Sequence, residues 1–220
     1  MSPYHTESGI AVVSALTAHA FGDMYGFERW VNRFLELSTQ PCENLDITLG
    51  RSGSVLATSL SLDAWRAVSA EPAEGLVDFG NRTLAGIWNE LDQLPPIADE
   101  RKIGYLGIAH GWAGFGYAAL RWRKSAGGQL PPGVETRLAE LAGCADPTPH
   151  GVRWPFRLKT RDAFAMTGWC NGGTGHVFLW TLAHELLGES SYGKLAEATA
   201  LDVFPPADRD PLLRPRRCEL

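Results

Sequence analysis

Three short glycine-bearing openings constrain this chain more than anything else in it. They are Asp46-Ile47-Thr48-Leu49-Gly50-Arg51-Ser52-Gly53, then Gly107-Ile108-Ala109-His110-Gly111-Trp112-Ala113-Gly114, then Gly168-Trp169-Cys170-Asn171-Gly172-Gly173-Thr174-Gly175-His176. In each, two glycines three positions apart lead into an apolar helical stretch. Glycine lets backbones approach where a Cβ would collide, so a repeated pair predicts helix starts crowded around a shared axis. Convergent helix N-termini would also concentrate partial positive charge there.

The rest of the chain reads as helix. Apolar residues recur at three and four positions, and no strand-like alternation is sustained, so the expected class is all-α. Small, apolar segments alternate with amphipathic ones. Ser8 to His19 precedes a segment carrying Phe27, Trp30, Val31, Phe34 and Leu35, and Gly50 to Leu62 precedes Gly75 to Leu91. Gly107 to Trp122 precedes Gly133 to Leu141, and Gly172 to Leu187 precedes Tyr192 to Leu201. The first member of each pair is expected to be buried on most sides and the second to be amphipathic. Four pairs at a period of about fifty residues predict a solenoid or a closed toroid. A long irregular stretch from Ala145 to Thr167, with Arg153, Trp154, Arg157, Lys159, Arg161 and Asp162, is expected to line or cover a site.

With 220 residues and 45% hydrophobic positions, the chain can bury a core as a single domain. A net charge of -5, with both signs interspersed apart from Arg214, Arg216 and Arg217, argues against nucleic acid as partner. No apolar run reaches the length of a membrane helix, because His176, His184 and Glu185 break the longest. Four scattered cysteines and no signal-like N-terminus suggest a reducing, cytoplasmic setting.

The openings also carry the residues that can do chemistry. The positive end of a helix favours thiolate over thiol, which makes Cys170 a candidate zinc ligand or nucleophile. His110 is a candidate general acid/base, since imidazole is the side chain that changes protonation near neutral pH. Asp46 is placed to orient it, or else to cap the helix that follows. His176 could face the same mouth or be buried and hydrogen-bonded. His5, His19, His150 and His184 sit in no frame that singles them out.

The frames Asp-x-x-x-Gly-x-x-Gly, Ala-His-Gly-x-x-Gly and Trp-Cys-x-Gly-x-x-Gly resemble those of lanthionine synthetase C-like cyclases, which close thioether rings in peptides. The resemblance covers most of the chain. It implies an (α/α) toroid, here an incomplete ring of about four helix pairs, and a peptide substrate. It implies one Zn²⁺ held by Cys170 and two further ligands, with His110 and Asp46 managing the proton. Cys218, 48 residues after Cys170, falls near the interval expected of the second ligand. The third has no match beyond Glu219, and Cys218, close to the chain end, reads equally as a tail residue. Arg161-Asp162 stands upstream of where the family carries a similar pair.

Taken together these features predict a single domain over residues 1–220, cut short at its C-terminal end and also at its N-terminal end. Such an open ring would expose the flanks of its inner helices, to be covered by a partner chain or by self-association. Two functions follow from the resemblance: zinc-assisted addition of a cysteine thiol to a dehydroamino acid, or a non-catalytic peptide-binding scaffold without a complete metal site. A carbohydrate-active toroid is a more distant alternative, since it would need a second acid beside Asp46 at the inner helix mouths.

Overall fold

The computed structural model describes residues 3–158 and 166–204. These residues form eight α-helices: α1 (Glu7–Ala20), α2 (Met24–Ser38), α3 (Arg51–Val68), α4 (Glu74–Leu91), α5 (Trp112–Ala126), α6 (Val134–Ala142), α7 (Gly173–Leu187) and α8 (Ser190–Val203). A two-residue antiparallel pair, β1 (Asp146–Pro147) with β2 (Val152–Arg153), interrupts the α6–α7 connection in the register Asp146 to Arg153. The fold is all-α, a partial toroid of four helical hairpins.

Each odd-numbered helix packs on its even-numbered successor, and α1, α3, α5 and α7 pack on one another in turn. The α3 seam explains how close that row can be. Ser52, Ser54, Ala57, Thr58, Ser59 and Ser61 are all buried, and small side chains leave the backbones little to keep them apart. Part of their polarity is absorbed locally, since the Thr58 hydroxyl donates to Ser54 O at 2.7 Å and that of Ser59 to Val55 O at 3.0 Å, while the Ser52 and Ser61 hydroxyls have no partner among the described residues.

The even helices close the core from outside with large residues. Trp88, Leu91, Phe27 and Phe34 are fully buried or nearly so. Gly80 of α4 receives the Trp122 ring of α5 so closely that a Cβ there would sit 2.2 Å from the indole, and Trp122 Nε1 donates to Asn81 Oδ1 at 2.9 Å. Arg137 of α6 is buried and donates to Pro95 O at 2.7 Å and Leu91 O at 3.1 Å, with its guanidinium 5.0 Å over the Trp112 ring. That one side chain fastens the end of α4 to the start of α5.

Several boundaries differ from the sequence expectation. The glycine pairs repeat every 61 residues, Gly50 to Gly111 to Gly172, not every fifty, because the connections before each inner helix are long and folded. Gly107 to Gly111 belongs to such a connection, and α5 begins only at Trp112. Helix α1 is buried along one face rather than on most sides, with Ile10 and Val13 each about two-thirds exposed. At the opposite end of the row Phe178 and Phe204 are likewise exposed. No described helix is long and apolar enough to cross a membrane.

Candidate functional site

The three openings are one backbone device built three times. Gly50, Gly111 and Gly172 are the N-caps of α3, α5 and α7, all in extended backbone. A Cβ at these positions would fall 2.4, 2.2 and 2.2 Å from the carbonyl oxygens of Asn44, Tyr105 and Met166, each six residues upstream. The same carbonyls accept the first helical N–H groups, from Arg51 (3.0 Å), Trp112 (3.2 Å) and Gly173 (3.3 Å). Each loop thus closes on its own helix and satisfies amides that would otherwise lack partners.

Backbone hydrogen bonds then join the loops in order. Thr48 N–H and Ile47 N–H donate to Ala109 O at 3.3 and 3.2 Å, and Ala109 N–H donates to Cys170 O at 2.9 Å. Thr48, Ala109 and Cys170 occupy the same place in the 61-residue frame, two residues before the capping glycine. Gly107 lies against the third loop, where a Cβ would meet Cys170 O and Asn171 Cα at 2.5 Å.

On this frame Asp46 and His110 meet. Asp46 Oδ2 lies 2.8 Å from His110 Nδ1, and its Oδ1 accepts the Leu49 N–H. The expected capping role is therefore only partly realised, since Gly50 is the N-cap and has no side-chain cap. The carboxylate is nearly buried, while the imidazole is about one-third exposed. A carboxylate on Nδ1–H orients the ring and leaves Nε2 as the basic nitrogen. Thr48 adds a hydroxyl 2.9 Å from Nδ1 and 3.3 Å from Nε2. Thr48 is absent from the sequence reading, although its shared frame position with Cys170 would have drawn attention to it.

Beyond the pair, the Tyr105 ring lies 6.3 Å from that of His110, with Arg157 stacked 4.2 Å over it. Arg157 arrives from the long loop through an isolated antiparallel bridge with Tyr105. Tyr4, preceding α1, reaches across to Trp169 with ring centroids 6.5 Å apart.

The third opening has a different character. Cys170 is exposed and lies in the turn two residues before the Gly172 cap, not on the helix itself. His176 does not face the mouth. It is wholly buried, stacked 4.2 Å from Trp154 at an interplanar angle of 11°, and neither ring nitrogen has a hydrogen-bond partner among the described residues. Burial lowers its pKa to about 3, so it stays neutral at any ordinary pH. Trp154 is delivered by the irregular loop, which no helical pattern could have announced.

No group of three His, Cys, Asp or Glu side chains among the described residues could hold a metal ion. Cys170 alone falls short of the three protein ligands that a catalytic zinc uses. Cys218, Glu219, Arg161 and Asp162 lie outside the described residues.

A row of helical hairpins whose inner helix mouths bring a His–Asp pair together defines a partial (α/α) toroid. The chain belongs to the lanthionine synthetase C-like protein family, whose model matches residues 7–205. No curated protein matches it in sequence.

Proposed function

We propose that the mouth formed by α3, α5 and α7 adds a peptide cysteine thiol to a dehydroamino acid and so closes a thioether ring. The observation that supports this reading best is the 2.8 Å contact between Asp46 and His110, within an opening of a family of this type. His110 Nε2 takes the thiol proton, sulfur bonds to the β-carbon, and the π electrons pass to the acyl group as an enolate. The imidazolium then returns the same proton to the α-carbon, so atoms and charge balance without a further reactant. Asp46 stabilises the imidazolium between the two transfers and holds the ring in one tautomer. Thr48, beside the ring, limits its rotation.

Zinc is a separate limb of the proposal. Cys170 and Cys218 would hold it, and when bound it would favour the thiolate form of the substrate cysteine. Zinc content of purified protein tests this. Near-stoichiometric metal that is lost in both Cys170→Ala and Cys218→Ala supports the limb, and metal-free wild type removes it while leaving the His110 chemistry standing.

The proton chemistry is tested with a peptide holding one cysteine and one dehydrobutyrine, by following loss of the alkylatable thiol. Wild type should accelerate ring closure and His110→Ala should lower the rate by roughly 10²–10⁴-fold. An unaccelerated wild type would overturn the reading. The alternative is then a non-catalytic peptide-binding scaffold of the same family.

A further inference from the structure

Directly behind Tyr105 lies a cavity of about 380 Å³, within the size range of small-ligand pockets. Its apolar lining includes Ile97, Leu106 and Trp112, all buried, with Ile103 and Leu158 above them. Its polar lining is unusual for this chain: Arg101, Lys102 and Arg157 all border it, and none of them belongs to an ion pair among the described residues. Arg101 donates only to the carbonyls of Ala98 and Glu100, at 3.0 and 2.8 Å. Arg157 donates to the Tyr105 hydroxyl and lies flat on the Tyr105 ring.

The one acid bordering the cavity among the described residues is already engaged. Glu100 is buried, and its carboxylate accepts the backbone N–H groups of Lys102, Ile103 (2.9 Å) and Gly104 (3.4 Å). It thereby shapes the 100–104 turn that presents Lys102 and Ile103 to the cavity. Among the described residues, three cations against one amide-bound carboxylate leave the pocket locally positive in a protein whose formal net charge is -5. The net charge of the molecule gives acidic ligands no general attraction, so a preference for them would have to come from a local patch such as this one.

We infer that the cavity beside Tyr105 binds an acidic segment of a peptide, seating a carboxylate against Arg101, Lys102 and Arg157 and an adjacent apolar side chain on Ile97, Leu106 and Trp112. Tyr105 separates this pocket from the His110 ring by a single aromatic width. A bound segment would therefore hold its neighbouring residues at the mouth. The inference rests on the proposed function only in taking the ligand to be a peptide.

The probe is a fluorescein-labelled peptide alternating leucine and glutamate, compared by anisotropy with the same peptide carrying glutamine for glutamate. In about 50 mM salt the glutamate peptide should bind about tenfold more tightly, and the preference should shrink toward twofold in about 500 mM salt. Arg101→Gln with Lys102→Gln, both exposed side chains, should abolish most of that preference at an unchanged melting temperature. Arg157→Gln provides an independent second variant. Equal affinity for the two peptides, or an unaltered preference in both variants, overturns the inference, as does binding of a single-stranded oligonucleotide in place of the glutamate peptide. Charge-dependent binding by a wild type that closes no ring would keep this inference and sink the cyclase reading. Ring closure without preference for glutamate would do the reverse.

Discussion

The opening shared by α3 and α5 and the opening of α7 have the same backbone and opposite side-chain economies. At the mouth of the first, Asp46, Thr48 and His110 are mutually hydrogen-bonded and partly shielded, and its Ser52 hydroxyl, without a partner among the described residues, lies inside α3 and outside that trio. In the second, the Cys170 thiol stands exposed, while Asn171 Oδ1 and both His176 nitrogens are buried with no partner among the described residues. Unpartnered buried polar atoms carry a desolvation cost that partnered ones avoid. Identical loop geometry therefore does not impose identical chemistry. The frame fixes where a side chain begins, and neighbours from other segments decide whether it is a reacting group, a packed ring or an unpartnered one.

The largest effect that would test this contrast comes from the glycines that begin the second and third openings. Gly107→Ala must push a Cβ into Cys170 O and Asn171 Cα, whereas Gly168, its counterpart 61 residues on, has open space around it. Gly107→Ala should lower stability by roughly 3 kcal/mol or more in urea denaturation, and Gly168→Ala should stay within about 0.5 kcal/mol of wild type. Equal losses at both would mean that the two openings are more alike than they look.

A second test uses acid. The unfolded state binds a proton on His176 near the ordinary histidine value, while the folded state holds that imidazole neutral down to about pH 3. Stability attributable to this group is complete above about pH 6.5 and falls as pH drops through the window below, at up to about 1.4 kcal/mol per pH unit. His176→Phe, which keeps the stacking with Trp154, should flatten that part of the urea midpoint against pH. A variant that tracks wild type between pH 6 and 5 would show the buried ring to be solvated after all.

Two smaller effects sharpen the partnered side. Thr48→Val removes a hydroxyl but no charge, and should slow ring closure by about tenfold or less, well short of the His110→Ala loss. A loss as large as that of His110→Ala would promote Thr48 from positioning the ring to contacting the reaction. Least of all, Asp63→Asn breaks the exposed pair with Arg121 at 2.9 Å and should change the melting free energy by under about 1 kcal/mol.

Much of this arrangement is legible in the residues themselves. The glycine pairs announce close helix starts because only glycine tolerates a carbonyl where its Cβ would be, and the structure meets that condition at Gly50, Gly111 and Gly172. The all-α class follows from periodicity in the same direct way. The spacing of fifty misleads because it follows helix lengths and underrates the folded connections, such as the 97–111 segment that carries Glu100, Tyr105 and His110. His176 and Arg157 are half legible, since burial is one of two readings for the first and the second sits in a stretch expected to line a site, but their partners are not. Their surroundings come from the irregular loop, through Trp154 and the bridge to Tyr105, and a contact made by unpatterned chain leaves no trace in local composition. The Asp46–His110 contact lies between these cases: two loops known to converge bring the residues near, but only the bonds through Ala109 set them face to face.

Ala109 is the hub of that arrangement. Its carbonyl takes both backbone bonds from the first loop, and the Thr48 hydroxyl at 3.4 Å, and its amide makes the one to the third. Any opening that separates α7 and α8 from the row breaks the Ala109–Cys170 bond and leaves Asp46 and His110 joined. The molecule thus has a seam on one side of its proton pair. Along it the segment bearing Cys170 is tied to the mouth by a bond on which the Asp46–His110 contact does not depend.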